Sequence, residues 1–320
     1  MKAVVVSTDK YELRAGYPMP MRRAGEALVK VTVVGVCGTD IDLLHGKLDF
    51  YGVPGHEFVG MVEDTDATDL IGRRVVGEIN CPCGHCQLCR LGLWRHCRSR
   101  TILGLWKRDG AFAEFLTLPE ANLHLVPEDM SDETAVFAEP TAAAYDVLRR
   151  LDPARGDRVL VVGDGKLGLI SSQVLATRCD VTVLGNVPSK LAIAKKLGHA
   201  TAMVGSFKEK DFDIAIEASG TPEGFTEALN LLRPMGRLVL KTTIGGETPV
   251  RLWKIANNEI TVIGSRCGPF QPALRALRDG DILVEPLISA RFALDDFEAA
   301  IAKAAEPECL KVLVYPGGVP

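Results

Sequence analysis

Residues 159–168 read VLVVGDGKLG, an apolar run followed by glycines at 163, 165 and 168 in the spacing G-x-G-x-x-G. Few short stretches restrict a fold as much. The run 158–162 reads as a buried strand and 167–177 as a helix, so the chain must turn sharply between them. Gly163 permits the tight turn, Gly165 lets the main chain approach a pyrophosphate, and Gly168 lets the helix pack closely on the strand. The helix N-terminus, with Lys166 and Leu167 in its first turn, then faces the phosphates. The spacing alone is a weak signal. With a strand before it, a helix after it and a further β-like run at 181–184, it marks a βαβ unit and a dinucleotide site.

Strand and helix patterns alternate from residue 141 onward, with strands expected at 213–218, 237–241 and 260–263, which is the texture of a parallel sheet. Ser219 ends one of these runs, where contacts to the nicotinamide side of a dinucleotide fall. Cofactor choice is written at the end of the second strand, where an NAD protein tends to carry Asp or Glu for the ribose hydroxyls. This chain has Gly185-Asn186 there. With Asn186, Ser189 and Lys190 able to donate to a 2'-phosphate, the expected preference is NADP over NAD.

Upstream, residues 35–57 read GVCGTDIDLLHGKLDFYGVPGHE. Cys37 and the pair His56-Glu57 supply thiolate, imidazole and carboxylate, the ligand mix of zinc; a catalytic zinc takes three such ligands and keeps a fourth position open. Two carboxylates compete for the third place. Glu139, just before Pro140 at the start of a helical stretch, is the best candidate, and Glu57 is the competing one. Asp40 either accepts the second ring N–H of His56 and fixes its tautomer, or caps a short helix.

Five of the nine cysteines fall between Cys81 and Cys97. Cys83, Cys86, Cys89 and Cys97 have the spacing of a closed, tetrahedral structural zinc site in a lobe at about 81–100. Cys81 lies outside that pattern and reads as a packed or partly exposed thiol, with a substitute zinc ligand as the alternative. Bunching of this kind in a chain without a secretion signal favours metal over disulfides.

Taken in order, GVCGTD, GHE, the cysteine cluster, GAFAEF, AEP, GDGKLG and EASGTP give a sequence that resembles the medium-chain, zinc-dependent alcohol, polyol and sugar dehydrogenases over nearly its whole length. The resemblance implies an α/β protein of two domains. A GroES-like, mostly β catalytic domain would span 1–141 and 272–320, and a doubly wound Rossmann domain 142–271. It implies two zinc ions, a nicotinamide cofactor, and an alcohol, polyol or sugar as substrate. It gives Thr39 the hydroxyl that takes the substrate proton. Many relatives pass that proton to a histidine where this chain has Asp42, so routes through the cofactor ribose to Asp42, through Glu57 or through water stay open. Lys311 matches a basic position that contacts the cofactor pyrophosphate. Homo-oligomers, dimers or tetramers, are implied, with 260–263 as the pairing strand. The carboxylates Glu57 and Glu139 lean the substrate toward polyols or sugars. The rival readings are a zinc-independent carbonyl or quinone reductase of the same fold and a non-catalytic sensor binding NADP and zinc.

A formal charge of -4 over 320 residues, 47% of them hydrophobic, describes a globular chain with no global attraction to nucleic acid or anionic membrane. The segment Arg90, Arg95, Arg98, Arg100, Lys107 and Arg108 is locally basic and reads as a counterweight to the thiolates. The N-terminal apolar run is too short for a signal peptide, and the expected location is the cytoplasm.

Overall fold

The computed structural model describes residues 1–7, 10–242 and 247–320. They form two compact units, one of 1–139 with 288–320 and one of 140–287.

The first unit is built on the long strand Glu26–Gly35, whose sequence EALVKVTVVG turns mostly Val and Ala inward. It lies inside a seven-stranded sheet, flanked by Lys311–Tyr315 on one side and Glu57–Asp64 on the other. Gly35 pairs antiparallel with both Glu57 and Leu313. The register therefore sets Cys37 just past the end of one strand and His56 just before the start of its neighbour. Gly35 has to be glycine: a Cβ there would lie 2.7 Å from Glu57 Oε2 and 3.3 Å from Lys311 Nζ. Residues 110–112 alternate as a strand would, yet the strand here runs Phe115–Pro119. The reason is steric. Gly110 lies against the Gly55 carbonyl with no room for a side chain, and 110–112 spend their N–H groups on Val53, Pro54 and Gly55.

The second unit holds a six-stranded, all-parallel sheet in the order Ala200–Met203, Asp180–Gly185, Arg158–Val162, Phe212–Glu217, Leu232–Leu240, Thr261–Gly264. Its central strands do not alternate in burial: Val159, Leu160 and Val161 are all inaccessible, as are Ile214, Ala215 and Ile216. That is the signature of a sheet covered by helices on both faces. On one face Leu160, Leu184, Phe212, Phe225 and Leu238 share a core cluster, each large side chain contributing about 1.5–3 kcal/mol on burial. Helix Pro222–Leu231 starts where Thr221 Oγ1 accepts the Gly224 N–H and Pro222 takes the first turn.

The return to the first unit comes at 288, later than the expected 272. Helix Phe270–Arg278 buries Phe270, Ala273, Leu274 and Leu277, and the Gln173 amide brackets Leu283, accepting from its N–H at 2.8 Å and donating to its carbonyl at 3.0 Å. These contacts hold 270–287 on the second unit. No described helix is long and apolar enough to cross a membrane.

Candidate zinc and dinucleotide sites

Cys37 is the N-cap of helix Gly38–Leu44. Asp40, fully buried, accepts the Cys37 backbone N–H on Oδ2 at 2.8 Å, and sets Oδ1 3.2 Å from His56 Nδ1, close enough for charge to act though outside hydrogen-bond geometry. With Nδ1 turned to a carboxylate, Nε2 is left for a metal, the usual arrangement behind a zinc-bound histidine. One donor atom each from Cys37, His56 and Glu57 lie within 4.8 Å of one another. A sulfur, an imidazole and a carboxylate at that spacing fit a three-ligand zinc with an open fourth position. Glu139, on the first turn of helix Ala138–Leu151, is not in that group.

In the lobe, Cys83, Cys86, Cys89 and Cys97 bring four sulfurs within 4.8 Å, and none is in a disulfide. The sulfurs of Cys86 and Cys89 are 3.5 Å apart, of Cys83 and Cys97 3.6 Å, and of Cys86 and Cys97 3.8 Å. Tetrahedral zinc–thiolate bonds of about 2.3 Å would set the sulfurs about 3.8 Å apart. The cluster fits. The Cys89 backbone N–H brings the Cys86 thiol down to about 6, while burial, with the Cys86 sulfur, pushes Cys89 up to about 12. A divalent cation is what lets all four be thiolate together.

In the second unit a cavity of about 280 Å³ is lined by Gly163, Asp164, Gly165, Gly185, Asn186, Lys190 and Ser219 among others. A Cβ on Gly163, whose φ is +125°, would meet the Ala218 carbonyl, and one on Gly168 would meet the Gly163 carbonyl. Gly165, the N-cap of helix Lys166–Ala176, faces open space. Gly163 and Gly168 thus stand where main chain comes too close for a side chain, and the helix start at Gly165 is left clear. Lys190 is buried in the cavity wall, whereas Ser189 is exposed. Two carboxylates here escaped the sequence reading. Glu217, fully buried, accepts from Ser219 N–H at 2.8 Å, Ser219 Oγ at 2.6 Å, Gly220 N–H at 2.9 Å and Thr242 Oγ1 at 2.5 Å. Asp164 Oδ2 accepts the backbone N–H groups of Asn186 at 2.8 Å and Val187 at 2.7 Å.

Residues 23–128 match the family model for the alcohol dehydrogenase GroES-like domain, and 167–279 that for zinc-binding dehydrogenase. Among curated proteins, the chain is 33% identical to an L-threonine 3-dehydrogenase of Streptomyces coelicolor, over 98% of this chain and 99% of that protein. It is 30% identical to the erythritol/L-threitol dehydrogenase of Mycolicibacterium smegmatis, over 93% and 92%. The chain belongs to the medium-chain, zinc-dependent alcohol and polyol dehydrogenases. A zinc-binding dehydrogenase of Sinorhizobium meliloti, solved with NADP bound, superposes with a TM-score of 0.90 at 27% identity, covering 98% of this chain and 99% of that one.

Within this dehydrogenase several expected residues stand elsewhere than the sequence suggested. Lys311, expected against the cofactor pyrophosphate, has another partner: its side chain is fully buried in the first unit, with Nζ paired to Glu57 Oε2 and set over the Phe137 ring. A basic residue on a terminal strand reads as available to a cofactor until the register shows it facing inward. Thr39 Oγ1 is 3.7 Å from Cys37 Sγ, beside the donor group. Asp42 is at the surface, 2.7 Å from Lys47 Nζ, and its contacts give no support to a proton relay. Two residues of the basic segment pair with carboxylates rather than thiolates, Arg95 with Glu78 at 2.9 Å and Arg108 with Glu26 at 2.7 Å, while Arg100 donates to the Cys97 carbonyl at 2.8 Å. Cys81 is buried, as expected of a packed thiol.

Proposed function

We propose that the chain oxidises a secondary hydroxyl flanked by a second polar group, as in a polyol, sugar or amino alcohol, transferring hydride to a nicotinamide dinucleotide. The observation that carries this reading is the Cys37, His56, Glu57 donor group with Asp40 behind the histidine. These three residues hold the catalytic zinc, and Cys83, Cys86, Cys89 and Cys97 hold a structural one. When bound, the catalytic ion supplies the Lewis acidity that lets a hydroxyl ionise near neutral pH.

The protein side of the reaction follows from the residues. Asp40 orients His56, and Lys311 neutralises the second oxygen of Glu57. Thr39 Oγ1, beside the donor group, would take the substrate proton and release it toward water. Gly163, Gly165 and Gly168, with the N–H groups of Lys166 and Leu167, hold the pyrophosphate, while Gly185, Asn186 and Lys190 border the adenosine end. Glu217 holds Ser219 and its loop in shape on the nicotinamide side. The names of the two curated relatives, one for a tetritol and one for a β-hydroxy amino acid, support a hydroxyl with a polar neighbour. The three donors favour this reading over a zinc-independent reductase.

The strand Thr261–Gly264 ends the parallel sheet, with Val262 exposed. An open edge of this kind suits pairing with a second copy of the chain, which sedimentation would report as a dimer or tetramer. The function itself is tested by initial rates of cofactor reduction across polyols, aldoses, amino alcohols and simple alcohols, before and after chelation. Turnover abolished by chelator and restored by zinc is expected. Cofactor binding with no turnover across the panel would replace the enzyme by the sensor reading.

A further inference from the structure

We propose that Asp164 makes the dinucleotide site selective for NAD over NADP, by placing a carboxylate where the adenosine 2'-phosphate would have to bind. The inference rests on the dinucleotide reading of this cavity and concerns its specificity. A Rossmann site selects NAD with an acidic residue at the end of the second strand, which accepts the ribose 2'-hydroxyl. Here that strand, Asp180–Gly185, ends without one. The carboxylate arrives from the glycine turn instead. Asp164, the residue between Gly163 and Gly165, extends its side chain across the strand end and accepts the N–H groups of Asn186 and Val187.

Gly185 is the complement of that reach. A Cβ built on it would collide with the Asp164 carboxyl, so the absent side chain at 185 is what admits the carboxylate from 164. The two positions have exchanged their usual parts.

Three consequences bear on a 2'-phosphate. The backbone donors just after the strand, which a phosphate would use, are already taken. Asp164, Glu223 and Glu227 line the cavity against one cation, Lys190, so a dianion meets like charge on entry. A 2'-hydroxyl, by contrast, can donate to Asp164 without displacing either backbone bond, because a carboxylate oxygen has more than one lone pair. The expectation of NADP counted only the residues that follow the strand, where Asn186 and Lys190 stand. Adding Asp164 reverses the balance. The NADP-bound relative from Sinorhizobium meliloti means that the fold accepts the phosphate, and places the discrimination in the side chains.

The test is titration of the purified protein with NADH and with NADPH, followed by nicotinamide fluorescence, which reads binding without substrate. Wild type is expected to bind NADH at least about tenfold more tightly than NADPH. Asp164→Asn, of the same shape and still able to accept an N–H, should narrow that ratio by at least about tenfold, chiefly through tighter NADPH. Asp164→Ser, checked by its unfolding midpoint, repeats the measurement with a smaller side chain. Wild type binding NADPH as tightly as NADH, or a ratio unmoved in both variants, overturns the proposal. Binding of neither nucleotide would overturn the dinucleotide reading beneath it, a distinguishable failure.

Discussion

Lys311 Nζ is paired with Glu57 Oε2 where neither side chain is more than 1% exposed, and Glu57 belongs to the same donor group as Cys37 and His56. A buried carboxylate left without a counter-charge is costly, about 3–5 kcal/mol when one partner of a buried pair is removed. Two cations can serve Glu57, the ammonium and a metal. Lys311→Met should therefore destabilise the metal-free protein by about 3–5 kcal/mol and the zinc-loaded protein by clearly less. Denaturant unfolding of both forms measures the difference. An equal loss with and without zinc would remove Glu57 from the ligand set.

Asp40 allows a cleaner separation of roles. Asp40→Asn keeps an oxygen to accept the Cys37 N–H but loses the charge facing His56. Zinc affinity at the Cys37 site should fall about 10–100-fold, read by competition with a chelating dye, while the four-cysteine site keeps its ion. An unchanged affinity would reduce Asp40 to a helix cap.

The closing segment of the first unit is fastened by Glu133, which accepts from Arg291 Nε and Nη2 at 2.6 Å each and from Tyr315 Oη at 2.5 Å. The Arg291 guanidinium, with the Tyr315 hydroxyl and against the effect of burial, holds the Glu133 carboxyl below its ordinary value of 4.5. A depressed carboxylate stabilises the fold above its unfolded pKa and loses that contribution as pH falls through the folded one. Glu133→Gln should thus be less stable than wild type at neutral pH by no more than about 1 kcal/mol, given the partial exposure of the pair. The gap should close as pH drops below 4.5. Unfolding midpoints of both proteins across that range check it, and a gap independent of pH would contradict the charge argument.

What could be read from the sequence was whatever a local pattern determines. The glycines at 163, 165 and 168 act through their immediate neighbours, and the spacing of Cys83, Cys86, Cys89 and Cys97 closes within one lobe, so both were visible. Cys37 and His56 were visible because the ligand types are rare and fall within one short stretch of sequence. Asp164, Glu217 and Lys311 were hidden for the opposite reason. Asp164 sits in the wild-card place of its motif, and its partners lie at 186 and 187. Lys311 and Glu57 are far apart in the chain and meet only through the pairing of their strands with Glu26–Gly35. The boundary at 288 was missed because the helix Phe270–Arg278 attaches by burial and by the Gln173 amide, neither of which a composition shift announces.

The most direct test of the central claim, that Cys37, His56 and Glu57 hold a catalytic ion distinct from that of the lobe, is the zinc content of Cys37→Ala beside wild type, with NADH binding followed in both. The account predicts two zinc ions per chain in wild type and one in the variant, with NADH still bound and turnover lost. Two ions retained in Cys37→Ala, or turnover surviving the loss of one, would contradict it.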